Sequence, residues 1–140
     1  MLKVLSFRVS GKLLGIEVNY VKEITRNPEY NDVPMAPDKV AGLFNMRGQV
    51  VTLFNLSYIL GYGEKNSDEI NCIVLKNIKS TNNLLGFLIE ETQDVFDIDE
   101  ADCEPIPANS SLTEQKYVKK VARLKDEILM LIYPDLIIES

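Results

Sequence analysis

Apolar and polar positions alternate along most of this chain in short runs. Residues 2–9 and 13–18 both follow period two. Leu5, Phe7 and Val9 share a face of the first, and Leu14, Ile16 and Val18 share a face of the second. Ser10-Gly11 lies between them, so the opening reads as a β-hairpin. Residues 19–24 break the alternation. Asn19 is a good helix cap, and Val21 and Ile24 would share one side of a helical turn, so a short helix or an edge is expected there. Residues 26–32 are polar, with Asn27-Pro28 starting a turn. Val33-Pro34-Met35-Ala36-Pro37 has Pro-x-x-Pro spacing and reads as an extended loop stiffened by its prolines.

The stretch that organises the chain is the next one. Two apolar runs, Val40-Ala41-Gly42-Leu43-Phe44 and Val50-Val51-Thr52-Leu53-Phe54, flank the polar knot Asn45-Met46-Arg47-Gly48-Gln49. Both runs are rich in β-branched and aromatic residues and read as buried strands. Gly48 can take positive φ and so marks a tight reversal. Arg47 then sits at a bend, its five-donor fork expected beside apolar surface with little freedom. Asn55 can cap a short helix that Gly61 ends. Residues 62–69 are polar and contain Gly, and are expected to divide the chain near its middle.

The second half repeats the theme. Residues 70–76 and 84–90 read as strands around the turn cluster Ser80-Thr81-Asn82-Asn83. Residues 93–98 give another strand, with Val95 on one face and Phe96 and Ile98 on the other. The acidic run from Asp97 to Asp102 lacks the Gly and distal Glu of a calcium loop, and reads as a solvated face or a helix start. Pro105 and Pro107 fix an exposed loop. Ser111-Leu112-Thr113-Glu114 has capping-box spacing. Residues 117–124 and 127–133 alternate and read as a hairpin, and 134–139 as a closing helical turn. Nine or ten short strands with brief helices point to an all-β barrel or sandwich.

Composition narrows the function. The chain has 140 residues, one ordinary domain, and a net charge of −6. That charge argues against nucleic acid as the main partner. No apolar run approaches the length of a membrane span, and the start lacks the apolar core of a signal peptide. Cys72 and Cys103 are far apart without metal spacing, and Cys72 lies in a strand pattern. A reduced, cytoplasmic setting is expected. There is no histidine, no Gly-x-Ser-x-Gly elbow and no phosphate loop. Glu90-Glu91 and the pair Asp97 and Asp99 are the remaining acid–base candidates, and nothing in the sequence converges on them. No cofactor and no metal site is expected.

The run Gly42-Leu43-Phe44-Asn45-Met46-Arg47-Gly48-Gln49-Val50-Val51, followed by Leu53-Phe54-Asn55-Leu56 and Leu60-Gly61, resembles the signature of the CheW family, the coupling proteins of bacterial chemotaxis. Phe7, Gly15-Ile16, Val21-Lys22-Glu23-Ile24, Val33-Pro34, Gly86-Phe87-Leu88-Ile89, Asp94-Val95 and Ile128-Leu129-Met130-Leu131-Ile132 extend the resemblance over nearly the whole chain. It implies two small five-stranded β-barrels, SH3-like or OB-like, sharing one hydrophobic interface and exchanging terminal strands, with Gly42, Asn45 and Gly48 as the structural motif.

The same resemblance implies a non-catalytic adaptor between methyl-accepting chemoreceptors and the histidine kinase CheA. By carry-over, Val21, Glu23, Arg47 and Val95 would line a groove for the tip of a receptor helical hairpin. Glu104, Pro105 and Pro107 are candidates for contact with the regulatory domain of CheA, itself CheW-like, and other CheW-like domains are further partners. Acidic Glu104 and polar Asn109 stand where basic and aromatic residues can occur in relatives, which shifts the expected specificity of that interface. Thr52 and Asn55 replace the Pro and Asp often found in the signature. Two alternatives remain: a coupling protein of a pilus-type or other chemosensory pathway, and a small β-barrel ligand-binder or enzyme.

Overall fold

The computed structural model describes residues 1–63, 69–79 and 81–139. The period-two runs become strands β1 (Leu2–Val9), β2 (Lys12–Glu17), β3 (Val21–Arg26), β4 (Val40–Met46), β5 (Gln49–Asn55), β6 (Asn71–Leu75), β7 (Leu84–Ile89), β8 (Thr92–Ile98), β9 (Cys103–Glu104), β10 (Val118–Arg123) and β11 (Ile128–Ile132). Three short helices punctuate them: α1 (Leu56–Ile59), α2 (Leu112–Tyr117) and α3 (Pro134–Glu139). The all-β class is as expected. Asn55 caps α1 by accepting the Tyr58 amide at 3.2 Å. Ser111 and Glu114 form the capping box of α2.

The strands form two sheets, β8-β1-β2-β11-β10-β9 and β3-β6-β7-β5-β4. The first has six strands where five were expected, because the two-residue β9 adds an edge to β10. Residues from both ends of the chain build this sheet, and a parallel β2–β11 pair joins them. The middle of the chain builds the other.

The division expected at 62–69 is therefore not where the sheets part. β5 and β6, on either side of that stretch, belong to one sheet. The chain changes sheet at the 3-10 turn Val18–Tyr20 and again between β7 and β8. Residues 64–68 of the stretch, and Ser80 of the expected turn cluster, lie outside the described residues.

Three apolar clusters follow from strands buried on both faces, which is why their sequences run nearly continuous in apolar residues. Phe7, Ile16, Phe87, Ile73 and Ile132 meet between the sheets. Val4, Leu129 and Leu131 fill the inside of the six-stranded sheet. Phe44, Met46, Val51, Leu53, Cys72 and Val74 fill the inside of the five-stranded one. Gly86 makes room in that last cluster. A Cβ there would lie 2.5 Å from Cys72 Sγ and 3.2 Å from Leu53 Cδ2.

Of the two readings of 19–24, the edge holds and the helical turn does not: the 3-10 turn ends at Tyr20, and Val21 opens β3, an edge strand that pairs antiparallel with β6. Val21, Ile24 and Thr25 are β-branched and lose side-chain freedom in a helix. The ladder offered by β6 outweighs the local helix cap that Asn19 offers.

Candidate functional site

In the order β3-β6-β7-β5-β4, strands β3 and β4 are the two edges of one sheet. Beyond an isolated Asn31–Leu43 bridge, side chains rather than a ladder span the gap between them. The hairpin β4–β5 carries Arg47 to the far end of β4. Arg47 and Gly48 have φ of 52° and 87°, the two positive values that a tight two-residue hairpin turn requires. Asn45 Oδ1 accepts the Gly48 amide at 2.8 Å and fixes that turn.

Arg47 then reaches across to β3. Its Nη2 donates to Glu23 Oε1 at 2.5 Å and its Nη1 to Glu23 Oε2 at 3.2 Å. This forked pair matches guanidinium to carboxylate and is geometrically specific. The bond from Arg47 holds the Glu23 carboxyl below the usual glutamate range, and Glu23 in turn raises Arg47. The Arg47 side chain is 69% exposed. It is held by Glu23, not by apolar surface as the sequence suggested.

Beneath the pair runs an open groove of about 760 Å³, whose lining includes Glu23, Ile24, Arg26, Phe44, Met46 and Arg47. Phe44 and Met46 in that lining are nearly buried, and Thr25, Asn27, Glu29, Asn31 and Asn45 make much of the rest of it polar.

Of the four residues expected at one surface, the structure joins Glu23 and Arg47 directly. Val21 shares β3 with Glu23. It is half-buried against the shared core, and the pairing register with β6 shifts between Val21 and Glu23. Val95 is on β8, the outer strand of the other sheet, opposite Leu5, and is 56% exposed. Ser6 fixes β8 beside it: its hydroxyl donates to the Asp94 carbonyl and accepts the Asp94 amide, both at 2.9 Å. Arg26 at the end of β3 and Thr92 at the start of β8 line one polar recess with Asn27, Asn71 and Glu91. The edges of the two sheets thus approach at that end.

The other three candidates lie elsewhere. Glu104 is on β9, exposed, and accepts Arg123 Nε at 2.6 Å. Pro105 follows it on the surface. Pro107 is half-buried and lines a recess of about 290 Å³ with Lys12, Val121 and Ile128. A separate cavity of about 530 Å³ lies among Val9, Tyr30, Tyr58, Leu88, Ile89 and Glu90. Among the described residues, no cluster of three His, Cys, Asp or Glu side chains suits a metal. No helix among them is long and apolar enough to cross a membrane.

Sequence reasoning missed two things here. The Glu23–Arg47 pairing joins residues 24 positions apart, and no local pattern announces it. The Asn31–Leu43 bridge crosses Gly42, where a Cβ would lie 2.4 Å from the Asn31 carbonyl oxygen. Gly42 itself was the available signal.

Residues 3–140 match the model of the CheW-like domain family. The chain is 24% identical over 138 residues to the chemotaxis protein CheW of Rhizobium meliloti (strain 1021), covering 99% of this chain and 88% of that one. It is 24% identical over 141 residues to the chemotaxis protein CheW of Bacillus subtilis (strain 168), covering 99% and 87%. The crystal structure of the scaffolding protein TtCheW from Thermoanaerobacter tengcongensis has the same fold, with a TM-score of 0.85, 22% identity and coverage of 99% and 93%.

Proposed function

This chain belongs to the CheW-like domain family, and on that premise we propose that it is a non-catalytic chemotaxis adaptor coupling chemoreceptors to the histidine kinase CheA. The observation that carries this reading is the groove between β3 and β4, open, lined in part by Ile24, Pro28, Phe44 and Met46 and bridged by the Glu23–Arg47 pair. An open groove of this kind suits a helix laid along it rather than a small substrate enclosed for chemistry.

The receptor hairpin tip contacts Val21, Glu23, Arg47 and Val95. Arg47 supplies polar contacts, and the valines supply apolar ones on either side. The kinase regulatory domain contacts the surface around Glu104, Pro105 and Pro107. Its register there is set by Glu104, which already holds Arg123 and so presents a paired rather than a bare charge. The adaptor acts in the cytoplasm, where Cys72 and Cys103 stay reduced. Coupling in a pilus-type or other chemosensory pathway would use the same surfaces.

Binding of a receptor cytoplasmic fragment and of the CheA regulatory domain, each alone and then together, tests the proposal. Simultaneous binding supports it. Failure to bind either refutes it. A ligand-binder of another kind would instead fill the cavity beside Tyr58 and Glu90 and leave both proteins unbound.

A further inference from the structure

The outward face of β3 is an alternating row: Lys22, Ile24 and Arg26 all point away from the sheet interior and are exposed, Ile24 by 39%. Two of these three side chains are cations, in a chain of net charge −6. Arg8, Arg47 and Arg123 each form an ion pair with a glutamate. Arg26 is the one arginine with no carboxylate within 4 Å among the described residues, and Lys22 likewise has none.

Each cation also borders a recess. Lys22 lines one of about 280 Å³ with Lys76, Asn77 and Asn83. Arg26 lines the polar recess that reaches Thr92, shared with Glu69 and Glu91, and also the groove crossed by Arg47, shared with Glu29. β3 is an edge strand, so nothing of its own sheet covers its outer side. Unpaired like charges around an exposed isoleucine are a device that discourages edge pairing with another strand. They are equally a complement to carboxylates on a partner.

We propose that Lys22, Ile24 and Arg26 form a charge-selective rail that recognises an acidic amphipathic helix lying along β3. The spacing fits. Four residues of strand separate Lys22 from Arg26 by roughly 13 Å. Eight residues of helix span roughly 12 Å. A helix with carboxylates at positions i and i+8 and an apolar residue at i+4 would meet all three side chains on one face. This rests on the reading that the partner at the β3–β4 groove is a helix, and it adds the partner's chemistry: acidic on the side that faces β3. The pair Glu23–Arg47 is internally neutralised, so it supplies geometry. The rail supplies two exposed cations that meet such a partner's carboxylates and set its polarity.

The probe is a chemoreceptor cytoplasmic hairpin fragment, titrated against the full chain at about 50 mM and about 500 mM salt, since screening at the higher value leaves exposed pairs little range. The variants are Lys22→Glu/Arg26→Glu, Lys22→Gln/Arg26→Gln and Arg47→Ala, each checked for a native β signature by circular dichroism. The rail predicts about tenfold weaker binding for the charge reversal at low salt, a smaller loss for the glutamine pair, and little difference from the parent at high salt. Arg47→Ala weakens binding at both. If Arg47→Ala weakens binding and the reversal does not, or strengthens it, the rail is refuted and the groove reading stands. If neither variant changes binding, the groove reading falls and the rail with it. The glutamine pair keeps the test valid should the reversed protein fail to fold.

Discussion

Glu23 on one edge strand, β3, and Arg47 in the turn that follows the opposite edge strand, β4, form a forked ion pair across a seam that no strand ladder closes at that point. Both side chains are solvated, so the pair adds little to folding. Its effect is on placement: it holds the guanidinium across the groove toward β3. Replacing Arg47 by Ala is expected to weaken receptor-fragment binding by about thirtyfold while the thermal midpoint hardly moves. Arg47→Lys is expected to recover only part of the loss, because an ammonium cannot fork across two carboxylate oxygens. Titration calorimetry and a melting curve on each variant check both halves. A large drop in melting temperature with unchanged affinity would recast the pair as structural.

The same pair has a definite response to acid. Its hydrogen bond from Arg47 depresses the Glu23 carboxyl, and Arg8 does the same to Glu127. A carboxyl lowered in the folded state stabilises the fold above the range in which the unfolded chain titrates. That contribution is lost as pH falls through the folded value. The Glu23 carboxyl resonance is therefore expected to titrate below the ordinary glutamate range by NMR and to return to it in Arg47→Ala. A titration unchanged by that substitution would mean the pair does not form in solution.

How much of this was readable beforehand depends on where the determinants lie along the chain. The hairpin at Ser10-Gly11, the Asn45–Gly48 turn, the Asn55 cap and the Ser111–Glu114 box are local, set by residues within a few positions of each other, and all were legible. The stretch of β3 reads as either a helical turn or an edge because Asn19 offers a local helix start, while the β6 ladder that decides the matter begins at Asn71. The sheet boundary was misread for a related reason. The strands on either side of the polar break, β5 and β6, belong to one sheet, whereas the crossings between sheets need only the short turn at Val18–Tyr20 and a bend after Ile89. The candidate receptor and kinase residues came from the family likeness. The former fall on β3, the β4–β5 turn and β8, and the latter on and just after β9, placements that depend on the sheet topology.

Glycine positions give a stability test of that topology. A Cβ at Gly42 would meet the Asn31 carbonyl oxygen at 2.4 Å, and that carbonyl accepts the Leu43 amide at 2.9 Å. Backbone held by a bridge cannot yield cheaply, so Gly42→Ala is expected to cost about 3 kcal/mol. At Gly86 the nearest atom is Cys72 Sγ, a side chain, and Gly86→Ala is expected to cost about 1–2 kcal/mol through repacking. Urea unfolding of the two variants measures the order. Equal or reversed costs would show that the Asn31–Leu43 bridge is easily displaced.

The two cysteines should differ sharply in reactivity. Cys72 is fully buried inside the five-stranded sheet, and burial pushes its thiol up to about 12. The thiolate is the reactive form, so at pH 8 only a minute fraction is available. Cys103 is half-buried, on the short edge strand β9. Iodoacetamide at pH 8 is expected to label Cys103 and spare Cys72 until denaturant is added, as read by peptide mass spectrometry. Because Cys72 packs with Val74, Leu53 and Met46, its labelling rate then reports opening of the sheet that carries the groove. Bound receptor fragment should slow it by stabilising that sheet. Ligand-independent labelling of Cys72, as fast as that of Cys103, would mean the five-stranded sheet opens freely. A groove on a sheet that loose could not hold Arg47 in register with Glu23.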